Sequence, residues 1–294
     1  MNSFNEYLIN KGLKKGTITD MHYRLDKYRM WCRKQRENPE SIEYKVLIRY
    51  IKYLKNQYQQ PITINNQLQR VKTYFDYLVL EDIRSDNPLE DLRVKGAQKR
   101  VFSNLLSEDE LEDIYYSYQS DNIKDTYHRA CAKRNKVITG LMVYQGLNNK
   151  DLSNLKLEHL QLYKGTIYIP SAGDNNHRTL QLKPWQVIEL LEYSNQVRPM
   201  MQIRTGTNDD KLFPIKAKFS SILNAVVRKI KTYNAKVVNA RHIRASVISN
   251  WLKRHNIRKV QQMCGHKYIS STEKYKQDNL DSLHEMINNF HPIH

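Results

Sequence analysis

The run Arg241-His242-Ile243-Arg244, a helical stretch closing on Cys264-Gly265-His266, and then Ser270-Ser271-Thr272-Glu273-Lys274-Tyr275 decide how this chain reads. Arg241 and Arg244 stand three apart, so on a helix both guanidiniums leave one side while Ile243, Val247, Ile248, Trp251 and Leu252 enter a core. Guanidiniums stay charged and grip phosphate oxygens through paired hydrogen bonds. Gly265 follows the apolar positions Val260, Met263 and Cys264, which makes it a helix stop that throws His266 out at a fixed place. Ser270 and Glu273 have the spacing of a capping box, which sets Tyr275 in the first turns of a short helix, nine residues beyond His266. A free phenol has a pKa of about 10, so at neutral pH it attacks a phosphodiester only inside a cationic pocket. The arginines supply the pocket and stabilise charge that develops at phosphorus. His266 adds an imidazole able to give a hydrogen bond or a proton.

Upstream of this region the pattern changes twice. Apolar residues recur at three and four through Tyr23, Tyr28 and Trp31, then Val46, Ile48, Ile51 and Leu54, then Leu68, Val71, Tyr74, Phe75 and Leu78. This predicts a helical N-terminal domain over residues 1–88, with Pro61 opening its third major helix and Asn87-Pro88 ending it. From 89 to 106 the periodicity is lost, and Arg93, Lys95, Lys99 and Arg100 crowd around Gly96, as in an extended basic linker. Ser107 and Glu110 form a capping box that starts a second domain, 107–294.

In that domain, helices are expected over Val137–Tyr144, around Asp151–Leu155, over Trp185–Tyr193 and over Phe219–Tyr233. Short runs at His159–Leu162, Thr166–Ile169 and Thr179–Leu182, parted by Lys164-Gly165 and the polar loop Ser171–His177, predict a small antiparallel sheet. The fold class is therefore mainly α with one small sheet: a helical domain followed by an α+β domain. Leu283, Met286, Ile287 and Phe290 form an apolar stripe at helical spacing near the C-terminus, suited to its own domain or to a second copy.

Lys and Arg outnumber Asp and Glu by 48 to 30 in the 294 residues, a net charge of +18. Residues 1–106 hold 20 basic and 12 acidic side chains, so both halves are basic, as expected of a clamp on a polyanion and not of a neutral enzyme with one basic tail. Three widely spaced cysteines argue against a disulfide framework or a zinc site and for a reducing compartment. No apolar run approaches a membrane span and Met1–Asn10 lacks a signal pattern, so a cytoplasmic protein without membrane contact is expected. Neither a metal motif nor a nucleotide-binding glycine loop is present. No cofactor is expected, since transesterification keeps the phosphodiester energy in a protein linkage.

Across almost its whole length the chain resembles the tyrosine recombinase, or phage integrase, family. Arg244 matches the second catalytic arginine of the family's His/Lys-x-x-Arg segment, His266 its Gly-His histidine and Tyr275 its nucleophile, with Thr272 at a position commonly threonine. Arg241 stands where the family usually has His or Lys and keeps the positive charge. The N-terminal helical unit is similar to the family's core-binding domain.

Two positions depart from the pattern. The family's first arginine belongs in a Gly-Leu-Arg-x-x-Glu segment that here reads Gly146-Leu147-Asn148-Asn149-Lys150-Asp151, and its β-hairpin lysine belongs near Gly173, where this chain has none. Arg241 and Lys150 are the candidates to compensate for the arginine, and His177 and Arg178 for the lysine. Some mobile-element integrases are similar in lacking the first arginine.

The resemblance implies a site-specific recombinase that cuts DNA through a 3′-phosphotyrosyl bond. It also implies four copies on two duplexes and accessory DNA-bending proteins from the element or its host. A DNA-binding protein of the same fold that has lost the chemistry, and a topoisomerase that only nicks and reseals, are the alternatives.

Overall fold

The structure is a computed structural model and describes residues 3–96, 103–120, 123–173, 175–216 and 218–276. The chain divides into two compact units, Met1–Arg100 and Val101–His294.

The first unit is built from α1 (Phe4–Asn10), α2 (Lys15–Gln35), α3 (Tyr44–Gln57) and α4 (Pro61–Leu80). A Ser3–Glu6 capping box opens α1, and Pro61 opens α4 at a position where its missing N–H costs no hydrogen bond. Leu25, Tyr28, Leu47, Tyr50, Val71 and Phe75 form the core, all buried. The buried phenols are satisfied: Tyr28 donates to the Pro39 carbonyl (3.0 Å), and Tyr50 accepts from Gln67 Nε2 (3.2 Å). Tyr23 and Ile48, members of the apolar pattern that predicts these helices, face solvent. The stripe of α3 runs through Leu47, Tyr50, Ile51 and Leu54, and Ile48 is turned about 100° from Leu47.

The stretch after α4 is less free than a linker. Leu89 enters this core, and Val94 exchanges hydrogen bonds with the Asn65 side chain at 2.8 and 2.9 Å. Lys99 and Arg100 lie outside the described residues.

In the second unit the Ser107–Glu110 capping box forms as expected and opens α5 (Glu108–Ser117). The next helix, α6 (Thr126–Val143), starts well before the expected Val137, because Asp125 caps the His128 N–H ahead of a polar first half. After α7 (Asn149–Asn154) come β1 (Leu160–Gln161), β2 (Thr166–Ile169) and β3 (Arg178–Gln181), a three-stranded antiparallel sheet in chain order with Ile169 opposite Arg178. Helices α8 (Pro184–Glu192) and α9 (Arg198–Thr205) follow, joined by a π-helical turn. Helix α9 was not expected from the sequence, and Pro199 stands in its first turn, where a proline is compatible with a helix.

Three further helices complete the core: α10 (Phe219–Tyr233), α11 (Ala240–Arg254) and α12 (Ile257–Cys264). Residues 270–276 form a further helical segment, the last among the described residues. The apolar stripe Leu283, Met286, Ile287 and Phe290 lies outside the described residues. Among the described residues no helix is long and apolar enough to cross a membrane.

Candidate active site

Helix α11 is enclosed almost all round: residues His242 to Ser249 are all buried. The two arginines three apart therefore meet different surroundings. Arg241, in the first turn, is exposed, whereas Arg244 is buried. The Arg244 guanidinium donates through Nη1 to the Gly146 carbonyl and through Nη2 to the Cys264 carbonyl (2.9 Å), and Nη1 stands 3.5 Å from Asp151 Oδ2. It thereby ties the end of α12 to the turn that precedes α7.

That turn begins with Asn148. Its side chain accepts hydrogen bonds from the N–H groups of Lys150 (2.8 Å) and Asp151 (3.0 Å), and the Asp151 carboxylate takes the Asn148 N–H in return (3.2 Å). Asn148 is thus a helix cap, a role in which a short side chain with an acceptor oxygen excels and an arginine does not. Asp151, wholly buried, also receives Arg178 Nη2 on the same Oδ2 oxygen at 2.8 Å. Arg178 reaches it from β3, pointing inward. Its Nε and Nη1, and Asp151 Oδ1, have no hydrogen-bond partner among the described residues. Burial pushes the Arg178 guanidinium down from its ordinary range, and Asp151 pulls it back up. Two guanidiniums face one carboxylate, which leaves one net positive charge in a buried place.

Gly265 ends α12 in a left-handed conformation (φ 70°), the helix stop expected from the sequence. Its carbonyl accepts the Asn176 N–H at 2.7 Å, and Asn175 pairs with His266 as an isolated bridge, so the β2–β3 loop rests on this turn. His266 Nδ1 lies 2.9 Å from Thr272 Oγ1, and its Nε2 lies 3.5 Å from Arg244 Nη2. A guanidinium only donates, which assigns the acceptor lone pair to Nε2 and the proton to Nδ1. Burial first, then the charges of Arg244 and Arg178, push the imidazole pKa down to about 4, so the ring is neutral at pH 7.

Tyr275 is half-buried against Ile248, Val260 and Cys264, its ring 6.0 Å from that of His266 and inclined by only 8°. The expected Ser270–Glu273 capping box is replaced by a backbone contact. Ser270 is already helical, and the Glu273 N–H bonds the Ile269 carbonyl at 3.0 Å.

Of the remaining candidates, His177 is exposed and lies 6.1 Å from the Tyr168 ring, on the strand face opposite Arg178, as alternation requires. Lys150 is exposed on α7 and extends toward the β2–β3 loop. Sequence reading gave Asp151 and the Gly146 carbonyl no part in the site. The one signal for Asp151 was its spacing of three from Asn148, the signature of a capping box.

The description of the phage integrase family matches residues 104–281, and that of the phage integrase N-terminal SAM-like domain matches residues 1–82. The chain belongs to the phage integrase family. Site-specific DNA recombination is the activity class that goes with this membership. This integrase-family chain is 23% identical over 303 residues to the tyrosine recombinase XerC of Anoxybacillus flavithermus, covering 99% of this chain and 97% of that one. Its fold is similar to that of the XerH site-specific recombinase bound to palindromic difH substrate in a post-cleavage complex (TM-score 0.65, 21% identity, 84% of this chain and 72% of that one). It is also similar to the lambda integrase in a tetramer bound to a Holliday junction (TM-score 0.62, 15% identity, 92% and 74%).

Proposed function

We infer that this integrase-family chain cuts and rejoins double-stranded DNA through a covalent 3′-phosphotyrosyl intermediate, in the integration or excision of a mobile element. The meeting of Arg244, His266 and Tyr275 where α12 ends carries the reading. Arg244, backed by the buried charge of Arg178, binds the scissile phosphate and offsets charge that grows at its oxygens. The Tyr275 oxygen bonds to phosphorus, the bond from phosphorus to the 5′ oxygen breaks, and the phenol proton passes to the neutral His266 imidazole. Thr272 holds that imidazole in the tautomer whose unprotonated Nε2 lies toward Arg244. A 5′ hydroxyl from a partner duplex then reverses the reaction.

The +18 charge, spread over both halves, supports binding along a DNA backbone in the cytoplasm. The lambda integrase tetramer on a Holliday junction supports four copies acting on two duplexes. DNA-bending proteins of the element or host fit the same scheme. Placement of Asn148 as a helix cap favours a second reading, a DNA-binding protein of the same fold without chemistry.

One experiment separates the two. The purified full-length chain selects its site from a random duplex library, and a duplex of that site is nicked so that the short 5′-hydroxyl fragment diffuses away after cleavage. Wild type is expected to give a covalent adduct on a denaturing gel, and Tyr275→Phe none. Tight binding without an adduct sinks the recombinase reading and leaves the second one.

A further inference from the structure

The β2–β3 loop lies directly on the His266 turn, through the Asn176–Gly265 hydrogen bond and the Asn175–His266 bridge. A cation carried on this loop is therefore placed to reach the scissile phosphate of the proposed function, on which the present inference rests. None of the loop's own basic neighbours serves. Arg178 turns inward to Asp151 with its side chain only 1% exposed, and His177 faces outward beside Tyr168.

The cation comes from another segment. A Cβ built on Gly173 would stand 3.1 Å from Lys150 Nζ and 3.8 Å from its Cδ, so the lysine side chain lies along the loop at Gly173. Gly173 adopts φ 67° and carries no side chain, which leaves room for this approach. Lys150 starts from α7, whose cap Asn148 and buried Asp151 fix its backbone on the Arg244 side of the site.

We propose that Lys150 is the general acid of strand cleavage, delivering its proton across the β2–β3 loop to the leaving 5′ oxygen. As the Tyr275 oxygen bonds to phosphorus, the bond to the 5′ oxygen breaks. That oxygen takes a proton from the Lys150 ammonium, leaving a 5′ hydroxyl and a neutral amine. Three rotatable N–H donors on a flexible stem suit a leaving group that moves. Two basic groups have in effect exchanged segments. The guanidinium that joins Arg244 at Asp151 comes from the hairpin, and the amine over the hairpin comes from the segment before Asp151.

The test uses the full-length chain on two nicked duplexes of its selected site, one with the natural 5′ oxygen at the scissile bond and one with sulfur in its place. A thiol has a pKa of about 8.5, so the thiolate leaves without a proton donor. Lys150→Ala is expected to slow adduct formation on the oxygen duplex by about 100-fold or more and to match wild type within a few-fold on the sulfur duplex. Lys150→Arg, which keeps the charge and holds its proton too tightly to act as an acid, is expected to behave like Lys150→Ala. Equal slowing on both duplexes, wild-type rates for Lys150→Ala, or wild-type rates for Lys150→Arg each overturn the proposal. An adduct from wild type on neither duplex overturns the recombinase reading itself, and this proposal with it.

Discussion

Arg178 and Asp151 form an ion pair of 2.8 Å in which neither side chain meets solvent, and Arg244 shares the same carboxylate oxygen from 3.5 Å. One buried acid thus holds two basic groups that arrive from a strand and from the enclosed helix α11. Its energetic weight lies in what happens when a partner is removed.

Breaking a buried pair from one side costs about 3 to 5 kcal/mol, because the surviving charge stays buried without its counterpart. Arg178→Ala and Asp151→Ala are each expected to lower the urea midpoint accordingly. The paired replacement Arg178→Met with Asp151→Leu is expected to recover most of that loss while abolishing adduct formation. Single variants that each cost under about 1 kcal/mol would show the pair to be structurally idle.

Gly265→Ala tests the turn that presents His266. The position needs φ 70°, and an added Cβ would come within 2.7 Å of the Asn176 carbonyl oxygen and of Arg178 Nη1. The carbonyl belongs to backbone already bonded to this turn, so it cannot move away without lifting the loop. A loss of about 1 to 3 kcal/mol is expected in thermal unfolding. Adduct formation should fall further than stability explains, and an unchanged rate in a folded variant would count against the role given to the turn.

The His266 imidazole, with its pKa pushed down to about 4, resists protonation in the folded state. An unfolded histidine titrates at about 6.5, so the unfolded chain binds more protons between the two values. Stability from this group is therefore level above about pH 6.5, falls as pH drops toward 4, and flattens below that. Urea unfolding at pH 7 and pH 5 should show the difference, and His266→Gln should lose it. An imidazole NMR titration of the free protein centred at 6.5 or above would contradict the burial account.

Asn148 gives a milder prediction. Asn148→Ala removes the acceptor for the Lys150 and Asp151 N–H groups and is expected to cost about 1 kcal/mol, whereas Asn148→Ser should cost little. A cost for serine equal to that for alanine would argue that the cap is not what the side chain contributes.

Local chemistry was legible before any fold was known. The capping box at Ser107, Pro61 at a helix start, Gly265 as a stop and strand β2 all form where the sequence places them, since each depends on residues within one or two turns. The spacing from Arg244 through His266 to Tyr275 was legible as a candidate set, because the three stand on or beside adjoining helical segments of the second unit. Long-range placement was not legible. Arg178 reads as a candidate for the missing hairpin lysine until β3 pairs with β2 and alternation turns it inward to an acid 27 residues away. Lys150 reads as a candidate for the missing arginine beside Asn148, and only the folded hairpin brings Gly173 under its ammonium instead. Residue pattern alone gave the family resemblance, the helical plan and the candidate set Arg244, His266 and Tyr275. Only tertiary structure decided which cation stands where, because charges are assigned by distance in space and long side chains reach across segments that no local pattern connects.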